Sequence, residues 1–144
     1  MKTSFKILFP FVIYVISSFT AYAQTGRFYT TDGGLSSSLI NHFFQDSKGF
    51  MWTATEYGLN SFDGLRFANY WHVSGDSTSI KNNYVRTLFE DSRQNLLIGC
   101  IDGLMRYDRE TNTFSEIPMI RASKQVFPHV TQMQELHNGE IWMT

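Results

Sequence analysis

The chain has 144 residues, 42% hydrophobic and 16% aromatic with 17% charged, which excludes a disordered or fibrous chain and leaves ample apolar mass for a core. Its formal net charge of −1 shows no basic excess, so no nucleic acid is expected as a partner. Cys100 is the single cysteine and cannot close a disulfide within the chain, so packing must hold the fold.

In chain order, residues 1–23 read as a secretory signal peptide. Lys2 and Lys6 precede the apolar run from Ile7 to Phe19, and "AYA" ends at Ala23 with the small residues that a signal peptidase requires. The run is short for a membrane span of about 20 residues and contains Pro10. Cleavage at Ala23 would leave residues 24–144, a more acidic chain once both lysines are gone.

The remainder reads as short strands. Around the single cysteine they are "YVRTLF", "LLIG", "LMRY" and "TFSEI", divided by "EDSRQN", "IDG" and "DRETN". Brief runs rich in β-branched and aromatic residues, separated by Asp, Gly, Asn and Ser, are strands and turns. A shift of 45 residues lays Ile40–Asp63 on Val85–Asp108 without a gap and matches Phe44 with Phe89, Asp46 with Asp91, Ser47 with Ser92, Gly58 with Gly103, Leu59 with Leu104 and Asp63 with Asp108. A second shift brings Val130, Met133, Ile141 and Trp142 onto Val85, Leu88, Leu96 and Leu97.

Four short strands with their turns need roughly 40 to 50 residues, the size of one β-propeller blade. The expected fold is therefore all-β, with blades of four antiparallel strands: blade one at about 39–70, blade two at about 84–117 and the start of blade three at 130–144. Rings close with roughly four to eight blades, so about two and a half make an incomplete propeller. "MWTAT" and "LLIGC" are apolar on both sides, as befits a sheet covered on each face. "GRFYTT", residues 26–31, reads as a strand that would complete the last blade of the ring.

"FFQDSKGFMWTATEYGLNSFDG" and "LFEDSRQNLLIGCIDGLMRYD" resemble two-component regulator propeller repeats, and "TTDGGLSSSLIN" is similar to the start of the periplasmic sensor region in Bacteroides-type hybrid two-component histidine kinases. Leu97 and Gln94 depart from the repeat, standing where Trp and a turn Gly are usual, and Ala54 and Cys100 occupy its small Gly-Thr positions. The resemblance implies a periplasmic ligand-sensing propeller that responds to oligosaccharides. It further implies more blades and a histidine kinase downstream, in a dimeric protein anchored in the inner membrane. A secreted propeller enzyme acting on glycans and a purely structural, protein-contact propeller remain as alternatives.

The residues themselves suggest binding rather than catalysis. Asp46 and Asp91, like Asp63 and Asp108, recur at turn positions where an Asp side chain bonds backbone amides. Cys100 reads as a small buried hydrophobe. His42, His72, His129 and His137 lack zinc-ligand spacing, so neither metal nor cofactor is expected. No catalytic constellation is expected either. The copies diverge in their loops, where Glu56 and Tyr57 face Ile101 and Asp102 in the alignment. In the connector from Trp71 to Asn83, Trp71 could stack on a sugar ring while His72 bonds its hydroxyls. Asn41 and Arg86, near the starts of the innermost strands, are expected to face the central channel. Trp71, His72, Glu56, Tyr57, Asp102 and Arg86 are thus the candidate ligand-binding residues.

Overall fold

The computed structural model describes residues 26–121, 124–126 and 129–144. The signal-peptide reading of residues 1–23 lies outside them. Four antiparallel strands, β1 (Ile40–Gln45), β2 (Met51–Thr55), β3 (Gly58–Phe62) and β4 (Phe67–Tyr70), form one sheet in sequence order. A second sheet repeats the design with β5 (Val85–Glu90), β6 (Leu96–Cys100), β7 (Gly103–Asp108) and β8 (Thr113–Ile117). Two hairpins follow, β9 (Met119–Arg121) with β10 (Lys124–Val126) and β11 (Met133–Glu135) with β12 (Ile141–Met143). The chain is all-β, an open set of propeller-like blades.

The repeat extends to register. Ile40 pairs with Thr55 and His42 with Ala54, while Val85 pairs with Cys100 and Thr87 with Gly99, so Asn41 and Arg86 each sit in a bulge near the start of a first strand. A bulge bends its strand and re-aims the side chain that it leaves unpaired.

Packing follows the two apolar faces. Trp52, Ala54 and Leu59 of the first sheet meet Val85, Leu88, Leu96, Ile98, Cys100 and Met105 of the second in one buried cluster. The other side of the second sheet presents Leu97 and Leu104 to Val130, with Met133 and Ile141 packed against them. The second sheet is therefore covered on both faces, which explains why every residue of β6 is buried and why its pattern does not alternate.

The hairpin turns use one device. Asp46 Oδ1 accepts the N–H groups of Lys48 and Phe50, each at 2.9 Å, and Asp91 Oδ1 those of Arg93 and Asn95 at 2.9 and 2.8 Å. Asp63 and Asp108 likewise accept N–H groups two and three residues on. Cys100 is buried, and desolvation pushes its thiol up to about 12.

The strand expected at residues 26–31 would pair with a last blade that lies outside the described residues. Residues 26–30 have no ladder partner among the described residues, and Thr31–Gly33 make a 3-10 turn. Side chains of the first sheet hold residues 29–36, the strap that leads towards β1. Asn60 Oδ1 accepts the Ser36 N–H at 2.8 Å, Asn69 Nδ2 donates to the Gly34 carbonyl at 3.0 Å, and Tyr29 packs on Phe62 at 4.8 Å between ring centroids. Thr55 and Asn60 stand where the second sheet has the apolar Cys100 and Met105, and this polar pair is what receives the strap.

Candidate functional site

Antiparallel order sends the β2–β3 turn, the β4–β5 connector and the β6–β7 turn to the same end of the sheets. The candidates Glu56, Tyr57, Trp71, His72 and Asp102 all lie there. The tight β2–β3 turn draws the connector close. The Gly58 N–H donates to the Asn83 carbonyl at 2.7 Å, and a Cβ on Gly58, whose φ is +119°, would lie 2.8 Å from the Tyr70 carbonyl oxygen and 3.0 Å from the Trp71 ring. Only glycine fits this approach.

Trp71 is 49% exposed, and its indole N–H donates to the Tyr57 carbonyl at 3.1 Å. The bond fixes the ring and leaves part of its face open beside the exposed Tyr57. The exposed His72 is tethered within the connector, with Nδ1 donating to the Ile80 carbonyl at 3.0 Å, and its backbone N–H donates to Asn83 Oδ1 at 2.7 Å. Asp102 Oδ2 accepts Asn82 Nδ2 at 3.2 Å, while its buried Oδ1 has no partner among the described residues.

Tyr84 joins two further candidates. Its hydroxyl donates to Glu56 Oε1 at 3.0 Å, and that bond, with desolvation and the carboxylate charge, raises the phenol above its ordinary value. The Arg86 guanidinium lies over the same ring, 5.3 Å from the centroid, a cation–π contact. Glu56, Tyr84 and Arg86 thus form one connected set, and Asn82 links Asp102 to it by accepting the Tyr84 N–H at 2.9 Å. Tyr84 escapes a comparison of the aligned copies because it precedes the repeat's first aligned residue.

Arg86 also borders a groove of about 710 Å³ between β1, β5 and the segment from Thr131 to Gln134, with Trp142 on its wall. Asn41 lines the same groove and donates through Nδ2 to the Val85 carbonyl at 2.7 Å, tying the inner strands together. His42 ties them again, its Nδ1 accepting the Leu88 N–H at 3.1 Å, and burial lowers the ring's pKa below its ordinary value. Among the described residues no group of three or more His, Cys, Asp or Glu is placed to hold a metal ion.

Sequence reasoning missed the contacts between sheets. Glu90 accepts both the N–H and the hydroxyl of Ser47, and Glu135 does the same for Ser92. Arg109 then spans Asp46 at 2.7 Å and Glu90 at 2.8 Å. The recurring interval of 43 residues between each Ser and its Glu was the available signal.

The family model for the two component regulator propeller matches residues 34–57. A histidine kinase named P4 from Formosa agariphila is 35% identical over 77 residues, 51% of this chain and 6% of the kinase. The extracellular domain of a hybrid two component system from B. thetaiotaomicron aligns with a TM-score of 0.70 and 30% identity over 81% of this chain and 17% of that one. A second such domain from that organism gives 0.68 and 25% over 85% of this chain, again 17% of its own length. A virginiamycin B lyase from Staphylococcus aureus, at 0.54 and 14%, shares the fold alone. The chain therefore spans a small fraction of its relatives: residues 34–57 match the two component regulator propeller repeat, and the fold is similar to that of the two extracellular domains.

Proposed function

We propose that this chain forms part of the periplasmic, ligand-sensing propeller of a two-component signal transduction system, and that it responds to oligosaccharides. The observation that carries this reading is the likeness to an extracellular domain of a hybrid two component system across 81% of the chain. The loop end supports a sugar ligand, because a fixed, half-open Trp71 ring beside Tyr57 combines an apolar face with nearby polar groups. On this reading the chain is exported with cleavage after Ala23, further blades complete the ring, and ligand binding is passed to a histidine kinase in a dimeric, membrane-anchored protein. The propeller binds and the kinase carries out the chemistry.

The test is transcriptional. The source organism is exposed to a panel of glycans with the gene intact, deleted, or carrying Trp71→Ala. Induction by one class of oligosaccharide that disappears on deletion and needs more ligand in the variant is the expected result. A response to every glycan that survives deletion contradicts the proposal.

A further inference from the structure

We infer that the groove between β1, β5 and the Thr131–Gln134 segment is an anion site, which takes the negatively charged group of an acidic oligosaccharide with Arg86 as its charge partner. The inference deepens the oligosaccharide-sensing proposal and rests on it.

The first argument is an uncompensated charge. Arg86 is half-buried, its Nε is buried without a hydrogen bond among the described residues, and no ion pair of the guanidinium occurs there. Tyr84 offers only its ring face, and the nearby Glu56 carboxylate accepts the Tyr84 hydroxyl. A buried guanidinium N–H without an acceptor is unfavourable, and an incoming carboxylate or sulfate relieves that cost through charge-assisted bonds.

The second argument is the lining. Asn41, His42, Gln132 and Gln134 bring polar side chains to the groove, and no Asp or Glu side chain lines it. Because His42 Nδ1 accepts from Leu88, the neutral ring carries its proton on Nε2, which is a donor. Trp142 adds an aromatic side chain to the groove wall. A site with one cation, several donors and no acidic side chain selects an anion.

The third argument comes from the repeat. Arg86 occupies a bulge whose counterpart in the first sheet is Asn41, and the third copy has Thr131 there. The bulge is common to both sheets, whereas the charge appears in one copy alone. Blade construction therefore does not require it.

Isothermal titration of the complete extracellular domain that carries this chain with trigalacturonic acid, a sulfated galactotriose and neutral galactotriose tests the inference. At least one acidic probe should bind roughly tenfold or more tightly than the neutral sugar, and Arg86→Gln should remove that advantage while Arg66→Gln, in an exposed turn, leaves it. Circular dichroism verifies that each variant is folded. Should Arg86→Gln fail to fold, Arg86→Lys and the wild-type salt dependence decide, since added salt must weaken the acidic probe and spare the neutral one. Equal binding of acidic and neutral sugars overturns the anion site and leaves oligosaccharide sensing intact. Absence of binding by either acidic probe also overturns it, and the transcriptional response then judges the sensing proposal separately.

Discussion

Glu90 grips Ser47 from the neighbouring sheet, accepting its backbone N–H at 2.7 Å and its hydroxyl at 3.0 Å. Glu135 holds Ser92 in the same way at 2.6 and 2.7 Å, so each first strand latches onto the turn of the sheet before it. Glu90→Ala should lower stability to urea by about 1–3 kcal/mol, because it removes charge-assisted bonds and one partner of Arg109. In a double-mutant cycle Ser47→Ala should cost clearly less once Glu90 is gone. Fully additive losses would show that the latch contributes nothing.

Asp46 gives the interface a pH dependence. Burial acts to raise its carboxyl, but hydrogen bonds from Arg109, Trp52 and Phe50 outweigh that and hold it below the ordinary 3.8. A lowered folded value means that the ionised form stabilises the fold above the unfolded pKa, and that this contribution is lost as pH falls through the folded one. Asp63 and Asp108 are lowered as well, chiefly by turn N–H groups, and act in the same window. Stability should therefore decline below about pH 4. Asp46→Asn should be less stable at neutral pH and show a shallower acid decline. An unchanged acid profile in the variant contradicts the assignment.

Gly99 stands where the first sheet has Ala54, yet it cannot become alanine without displacing its neighbours. A Cβ there would lie 2.7 Å from Thr87 Cγ2 and 3.0 Å from both Cβ and O of Val130. Gly99→Ala should cost about 1–3 kcal/mol in thermal or urea unfolding, as overpacking does. A neutral result would show that the third segment does not rest on β6.

Gln94 adopts φ 65° at the turn position that Gly49 fills in the first sheet. Side chains other than glycine are strained in that region. Gln94→Gly should raise the urea midpoint, by about 0.5–1 kcal/mol of stability. A lower midpoint would mean that the Gln94 side chain contributes contacts that outweigh the strain.

Strands and turns were legible in the sequence because their causes are local. An Asp that caps its own turn and a β-branched run that favours extension act over a few residues, so the 45-residue repeat places β1 to β3 on β5 to β7. Contacts between distant segments were not legible. The bonds that tie Ser36 to Asn60 and Gly34 to Asn69 hold the strap before β1 and join residues 24 and 35 positions apart. The β9–β10 hairpin falls between recognised copies. Between the equivalent pairs Phe62↔Phe67 and Tyr107↔Phe114 the second hairpin is the longer, so the ungapped comparison ended before Arg109, which clamps two blades. In the candidate site, alternation of turns brought Glu56, Tyr57, Trp71, His72 and Asp102 to one end. The bond from His72 to Ile80 and the bridging role of Tyr84 depend on the path of the connector, and the repeat carries no information about that path.

The central claim is that these sheets are successive propeller blades whose first strands stand side by side at one groove. A crystal structure of the whole protein that carries this chain tests it most directly. The account predicts that β1, β5 and β11 line a single channel, with the Ser47–Glu90 and Ser92–Glu135 bonds intact and Arg86 facing that channel. A structure in which β1 and β5 lie at the outer rim, or in which the two four-stranded sheets close on each other as a two-layer sandwich, would contradict it.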